Sequence, residues 1–350
     1  MSGGHALEDL IACLSGDPRT PRDWRALVAL ASETLTIGSL ADAVLLQPAV
    51  GEIPIHIKEL LADVRDRARR RNERLKEQLF ELLPALNAAG VEPILMRGVA
   101  RLVSSSDEKS RLLADIDLLV PLHRLDDCSR ALSDLEYEVF RAGEEKHVPT
   151  VFCRSRDVGM VDVHGELQPL YMQLAYDELA RSCQSMEFGT GRALIPSPTC
   201  QLLFTIVHDQ LHDGDYWRGL LDIRHLVDMQ RIAAEGVNWA GLAGFFPGGS
   251  PKNALFVQLR SARSLMKIDV PEEYCGGAWS ALQQIRRRAQ AHVTALRPIF
   301  TLLTVAADPP PRSKSMIPRS SGRTETARET ARRRLEHYFG PANPGKLLLK

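Results

Sequence analysis

Apolar and polar positions alternate along the chain in three stretches of different period. Up to about residue 90, apolar residues return every three or four positions, as amphipathic helices require. "HALEDLIACL" and "DWRALVALASETL" are short cases. A longer helix is predicted from about Pro54 to Ala89, with Leu75, Leu79, Leu82, Leu83 and Leu86 on its stripe and Gly90 placed to end it. The period then shortens. "VEPILMRG" (91–98), "DIDLLVP" (115–121), "VPTVFCR" (148–154) and "GMVDVHGEL" (159–167) read as strands, the last two as a hairpin around "SRDVG". "RLDDCSRALSDLEYEV" (124–139) is a helix between them. From Ser197 helical spacing returns in "SPTCQLLFTIVHDQL" and "YWRGLLDIRHLVDMQRIAAEG". The pattern predicts an α+β protein: a helical region over 1–90, a small mixed-sheet core over 91–196 and a helical domain over 197–306. Residues 307–350 are rich in Pro, Ser and Arg and predict a largely disordered basic tail. Within it, "RTETARETARRRLEHYF" can form one exposed helix.

Composition narrows the class of protein only a little. With 44 Lys and Arg against 44 Asp and Glu in 350 residues, net charge points to no partner. Six scattered cysteines without a CxxC pair exclude a disulfide scaffold and a thiolate zinc site, and predict a reducing, cytoplasmic setting. The N-terminus lacks a basic start followed by an apolar block, so no signal peptide is expected. "IFTLLTVAA" is far shorter than the ~20 residues of a membrane span, so no membrane association is expected either. Local charge says more. The run "RDRARRRNERLK" reads first as a solvated helix face with acidic neighbours. The same segment, near Arg69 to Lys76, and Arg332 to Arg334 in the tail are also the places where nucleic acid could bind.

Chemistry is concentrated in "RLLADIDLLVPL" (111–122), where Asp115 and Asp117 stand inside an otherwise apolar run. Residues two apart on a strand share a face, so both carboxylates point one way while Ile116 and Leu118 point to the core. Two carboxylates side by side repel unless a cation lies between them. Mg²⁺ suits such a pair, because it takes oxygen ligands and keeps room for substrate phosphates. A third acid, Asp162 in "MVDVH", sits on a later strand that can lie beside the first and complete a two-metal site. Gly98 closes the preceding strand, where the missing side chain lets backbone approach a phosphate.

These residues resemble the nucleotidyltransferase superfamily that includes DNA polymerase β, with its glycine turn, Asp-x-Asp strand and later third carboxylate. More closely, the chain is similar to a bacterial group of uncharacterised nucleotidyltransferases. Their basic-Gly pair, Arg before "DIDLLV", later His and "V-D/E-L-H" strand correspond here to Arg97-Gly98, Arg111, Asp115 to Val120, His147 and Val161 to His164. The likeness spans roughly residues 75–235 and continues into "LLFTIVHDQLH" and "WRGLLDIRHLVDM". It departs from the superfamily at Val99, where a phosphate-contacting Ser would stand, although Ser104, Ser105 and Ser106 lie nearby. It departs from the closer group at Arg97, which replaces Lys.

The resemblance implies Mg²⁺-dependent transfer of an NMP group from an NTP to a hydroxyl, with release of pyrophosphate. Two ions are implied, with Mn²⁺ as an alternative metal. Asp115, Asp117 and Asp162 would be metal ligands, with Arg97, Gly98, Arg111 and His164 at the nucleotide. The acceptor is open among a small hydroxyl compound, an RNA end and a protein side chain. The competing reading is a non-catalytic nucleotide sensor or interaction module on the same fold; that all three acids are present favours the enzyme.

Residues outside this constellation read more plainly. His208 and His212 are four apart on a helix, a spacing that can bind a transition metal, but the simpler reading is a polar face. Asp222 reads as a helix cap or ion-pair partner. "FFPGGSPKN" (245–253) follows no strand and lacks GK[ST], so it is a turn and no phosphate loop.

Overall fold

The computed structural model describes residues 3–17, 20–46, 53–104, 110–143, 148–167, 174–292 and 294–310. His147, Ser105, Ser106 and the predicted tail from residue 311 lie outside them. The chain divides into two compact units. One comprises Thr36–Gln168 and Gln173–Phe204, the other Met1–Leu35, Pro169–Met172 and Thr205–Lys350.

The first unit is α+β. Among the described residues its strands are β1 (Ile94–Leu95), β2 (Asp115–Leu119), β3 (Glu138–Arg141), β4 (Thr150–Cys153), β5 (Met160–His164), β6 (Cys183–Phe188) and β7 (Gly191–Pro196). They form one mixed sheet in the order β3-β4-β5-β2-β1-β7-β6. The pairs β2/β5 and β1/β7 are parallel and the others antiparallel. The hairpin β4/β5 lies where "SRDVG" predicts it. Two features differ from the sequence expectation. The helix expected over 124–139 stops at Asp134, and after Glu136 (φ 67°) the chain turns into edge strand β3. The hairpin β6/β7 is additional; its two-residue turn at Gly189 and Thr190 is permitted by Gly189 at φ 64°.

The long helix Ile55–Ala88 packs its leucine stripe into the core of this unit, beside Val99, Ile116, Leu118, Phe152 and Val161. It ends where Gly90 takes φ 75°. The Gly90 N–H donates to the Asn87 carbonyl and the Val91 N–H to the Leu86 carbonyl, closing a Schellman motif. Its basic run has another role besides that of a solvated face. Arg67 pairs with Asp63 as expected, but Arg71 Nε donates to the Leu113 carbonyl at 2.8 Å and its Nη2 to the Val158 carbonyl at 2.6 Å. Asn72 donates to the Arg111 carbonyl at 2.8 Å, and Gln78 exchanges hydrogen bonds with both backbone groups of Gly159. These contacts grip the segments entering β2 and β5 and so hold the two strands in relation to each other.

The second unit is helical among the described residues. Two predicted helices change character; the first begins in the other unit and enters this one at Thr205. "SPTCQLLFTIVHDQL" runs as an α-helix over Pro198–Ile206, then widens into a π-helix over Val207–His212. "YWRGLLDIRHLVDMQRIAAEG" is two helices, Asp215–Arg218 and Ile223–Ala234, because Gly219 adopts φ 68° between them. Asp222 caps the second by accepting from the His225 N–H at 3.2 Å. Among the described residues no helix is long and apolar enough to cross a membrane.

Candidate active site

The parallel pairing of β2 and β5 sets Asp117 directly beside Asp162, and Leu119 beside His164. Because side chains alternate, Asp115, Asp117, Asp162 and His164 all fall on one face of the sheet. Ile116, Leu118, Val161 and Val163 take the opposite face and are buried. One carboxylate oxygen each from Asp117 and Asp162 and one His164 ring nitrogen lie within 4.8 Å of one another. Asp115 shares the face, one pleat away toward the strand start, and is outside that tight group.

Arg97 reaches this face from the junction of β1 with the helix Arg97–Ser104. It has φ 50°, a left-handed conformation that a non-glycine residue holds at a cost of about 1 kcal/mol. Its guanidinium is ion-paired to Asp117 Oδ1. His164 Nε2 stands 3.4 Å from the same oxygen. Burial alone would push the Asp117 carboxyl up, but the Arg97 charge and His164 outweigh it and hold the group well below the usual carboxylate range. Asp162 goes the other way. Burial, then the negative charges of Asp117 and Asp115, push it up to about 7. Two adjacent carboxyls thus differ sharply in proton affinity, because only one holds the guanidinium.

The strand expected to run to Gly98 ends at Leu95, and Gly98 lies in the first turn of the helix Arg97–Ser104. A Cβ there would overlap Arg111 Nη1 and Leu113 Cδ2, so the absent side chain makes room for the Arg111 guanidinium. Arg111 is itself buried, and the structure brings it beside Gly98, thirteen residues earlier in sequence.

The family can now be assigned. The profile of a family described as uncharacterised nucleotidyltransferase matches residues 20–243. The chain belongs to that family. A comparison with curated proteins found no match. Nucleotidyl transfer is the general activity that this membership supports, and the matched region contains the whole Asp-x-Asp face.

Sequence reasoning missed Arg71, Asn72 and Gln78, whose side chains fix the strands that carry the acids. The signal was available. Asn72 and Gln78 fall at positions of the long helix that continue its buried stripe, between Ala68 and Leu82, where a polar residue needs a partner.

Proposed function

We propose that this face catalyses transfer of a nucleotidyl group from an NTP to a hydroxyl acceptor. The observation that carries the reading is the in-register pairing of Asp117 with Asp162, with His164 in the same cluster. The donor set fits a hard dication: two carboxylates converge, one is strongly ionised, and the other is kept from ionising by burial and by the neighbouring negative charge, which an ion would relieve. Asp117 and Asp162, with Asp115 on the same face, would hold Mg²⁺, singly or as a pair. When bound, the ion neutralises the phosphate oxygens and acidifies the attacking hydroxyl. The His164 nitrogen beside them makes Mn²⁺ an acceptable alternative.

The chain's own residues supply the rest. Arg97 and Arg111 offer guanidinium groups for the phosphates, each matching two oxygens at once. The acceptor oxygen forms a bond to the α-phosphorus as the bond to the bridging oxygen breaks and pyrophosphate leaves. Asp162, paired in register with Asp117, would orient the attacking hydroxyl together with the bound ion and accept its proton or pass it to solvent. His164 approaches the same Asp117 oxygen that Arg97 holds and helps to fix it. Within the basic run of the long helix Arg71 is spent on carbonyls and is not offered to a nucleic-acid acceptor, whereas Arg70 remains exposed.

The test is incubation of full-length protein with Mg²⁺, each α-labelled NTP and a cell extract as acceptor source, beside Asp115→Ala/Asp117→Ala protein. Label transferred by the parent alone supports the reading and identifies the acceptor. Nucleotide binding with no transfer under any condition favours a sensor, and no binding sinks both.

A further inference from the structure

The face just described leaves unused the histidines and aspartates that follow Val207. We propose that the helical unit carries its own cation site, for a first-row transition dication of the zinc class, with His208, Asp209 and Asp213 as ligands and His225 and Asp222 as their brace. In an α-helix His208 would pair with His212, the combination that sequence spacing singles out. The π-helix Val207–His212 keeps the two rings stacked and adds Asp213 to their neighbourhood. The Asp213 N–H donates to the His208 carbonyl five residues back, at 2.9 Å, so Asp213 comes round beside His208. A wide turn of this kind is uncommon and concentrates at functional sites.

The distances suit a small ion. His208 Nδ1 lies 3.5 Å from Asp209 Oδ1 and 3.6 Å from Asp213 Oδ2, and the three ligand atoms are within 4.8 Å of one another. Metal bonds of about 2.0–2.1 Å in tetrahedral array place neighbouring ligand atoms roughly 3.3–3.4 Å apart. The two His208 contacts need only a slight closure. The His212 ring stacks on His208 at 5.6 Å and flanks the group. His208 keeps about a third of its side-chain surface in solvent while Asp209 is fully buried, so the site has an entrance and a closed floor.

Behind the ligands stands a second layer. His225 Nδ1 is 2.6 Å from Asp209 Oδ1 and 3.5 Å from Asp222 Oδ2, and Asp222 is fixed as the cap of helix Ile223–Ala234. A ligating carboxylate held by a buried imidazole is the outer arrangement that metal centres depend on. Asp209, Asp222 and His225 also form a cluster of possible donors, but the 2.6 Å contact leaves no room for an ion between Asp209 and His225. The imidazole ligand sets the class of metal: nitrogen favours zinc-like ions, whereas Mg²⁺ seeks oxygen.

The experiment uses chelator-stripped full-length Asp117→Asn/Asp162→Asn protein, which lacks the carboxylate pair of the first unit, titrated with Co²⁺ in excess Mg²⁺. The expected result is one Co²⁺ per chain, with the visible absorption of a low-symmetry nitrogen–oxygen site and no thiolate charge-transfer band. His208→Gln and Asp213→Asn, both partly exposed and so compatible with folding, should each weaken binding by more than about tenfold. The exposed-residue control His56→Gln should leave it unchanged. Absence of stoichiometric Co²⁺, a thiolate band, or equal affinity in the His208 and Asp213 variants would overturn the proposal. Because the other carboxylates are disabled, these outcomes are separate from success or failure of nucleotidyl transfer.

Discussion

Replacing Asp162 by Asn should stabilise the metal-free protein while abolishing transfer. In the unfolded chain this carboxyl titrates at its ordinary value of 3.8; in the fold it titrates at about 7. Below pH 4 both forms carry the proton and no penalty arises. Between pH 4 and 7 the folded protein retains a proton that the unfolded chain has released, so stability falls as pH rises, and above 7 the penalty is complete. The full displacement corresponds to about 4 kcal/mol. Asp162 keeps part of its surface in water, which screens the repulsion, so a realised value of about 2 kcal/mol is reasonable. Asn fills the same space without the charge. In EDTA at pH 8 the variant should melt about 4–8 °C above the parent, with a gain at pH 5 about two-fifths as large. Differential scanning calorimetry at the two pH values measures this directly. Addition of Mg²⁺ at pH 8 should raise the parent's Tm and leave the variant's almost unchanged. An Asn variant no more stable than the parent at pH 8, or equally stabilised at both pH values, would refute the like-charge argument.

Three further outcomes follow from the same geometry. Asp117→Ala leaves the Arg97 guanidinium without its carboxylate and should cost about 3–5 kcal/mol by urea unfolding, and adding Arg97→Met should recover much of that loss. Gly98→Ala should cost about 1–3 kcal/mol through overlap with Arg111 and Leu113, and less in an Arg111→Ala background, where only the Leu113 overlap persists; additive losses would disprove the packing argument. Arg71→Ala removes two charge-assisted bonds to the strand entrances. It should cost about 2–3 kcal/mol and speed hydrogen exchange in β2 and β5, as read by mass spectrometry.

Much of the acid-bearing face could be read from sequence because it depends on a short-range rule. Alternation along "DIDLLV" and "MVDVH" places the acids on one face whatever the surroundings, and the apolar residues between them place the other face in the core. Parallel register between the two strands lies beyond that rule. It is fixed by side chains of the long helix that are distant in sequence, and Arg71 reads as a surface charge until its carbonyl partners are known. The helical unit was legible as helices but not in detail. Gly219 resembles a tolerated helix glycine until its φ is seen, and the π-turn at Val207–His212 has no period that distinguishes it from the α-helix before it. Strands β3, β6 and β7 were missed; for β3 and β6 the reason is related, since edge strands with exposed side chains, such as the four of β3, carry little hydrophobic alternation.

The grip of the long helix on β2 and β5 bears on how the protein can be dissected. Sequence divides this region at Gly90, and a fragment beginning there would contain every acid of the candidate site. It would lack Arg71, Asn72 and Gln78, and with them the partners of the Leu113, Val158, Arg111 and Gly159 backbone groups. The unit of inheritance for this chemistry is therefore larger than its motif. A minimal transferable piece must begin before Ile55, with the helix whose residues hold the two strands in step.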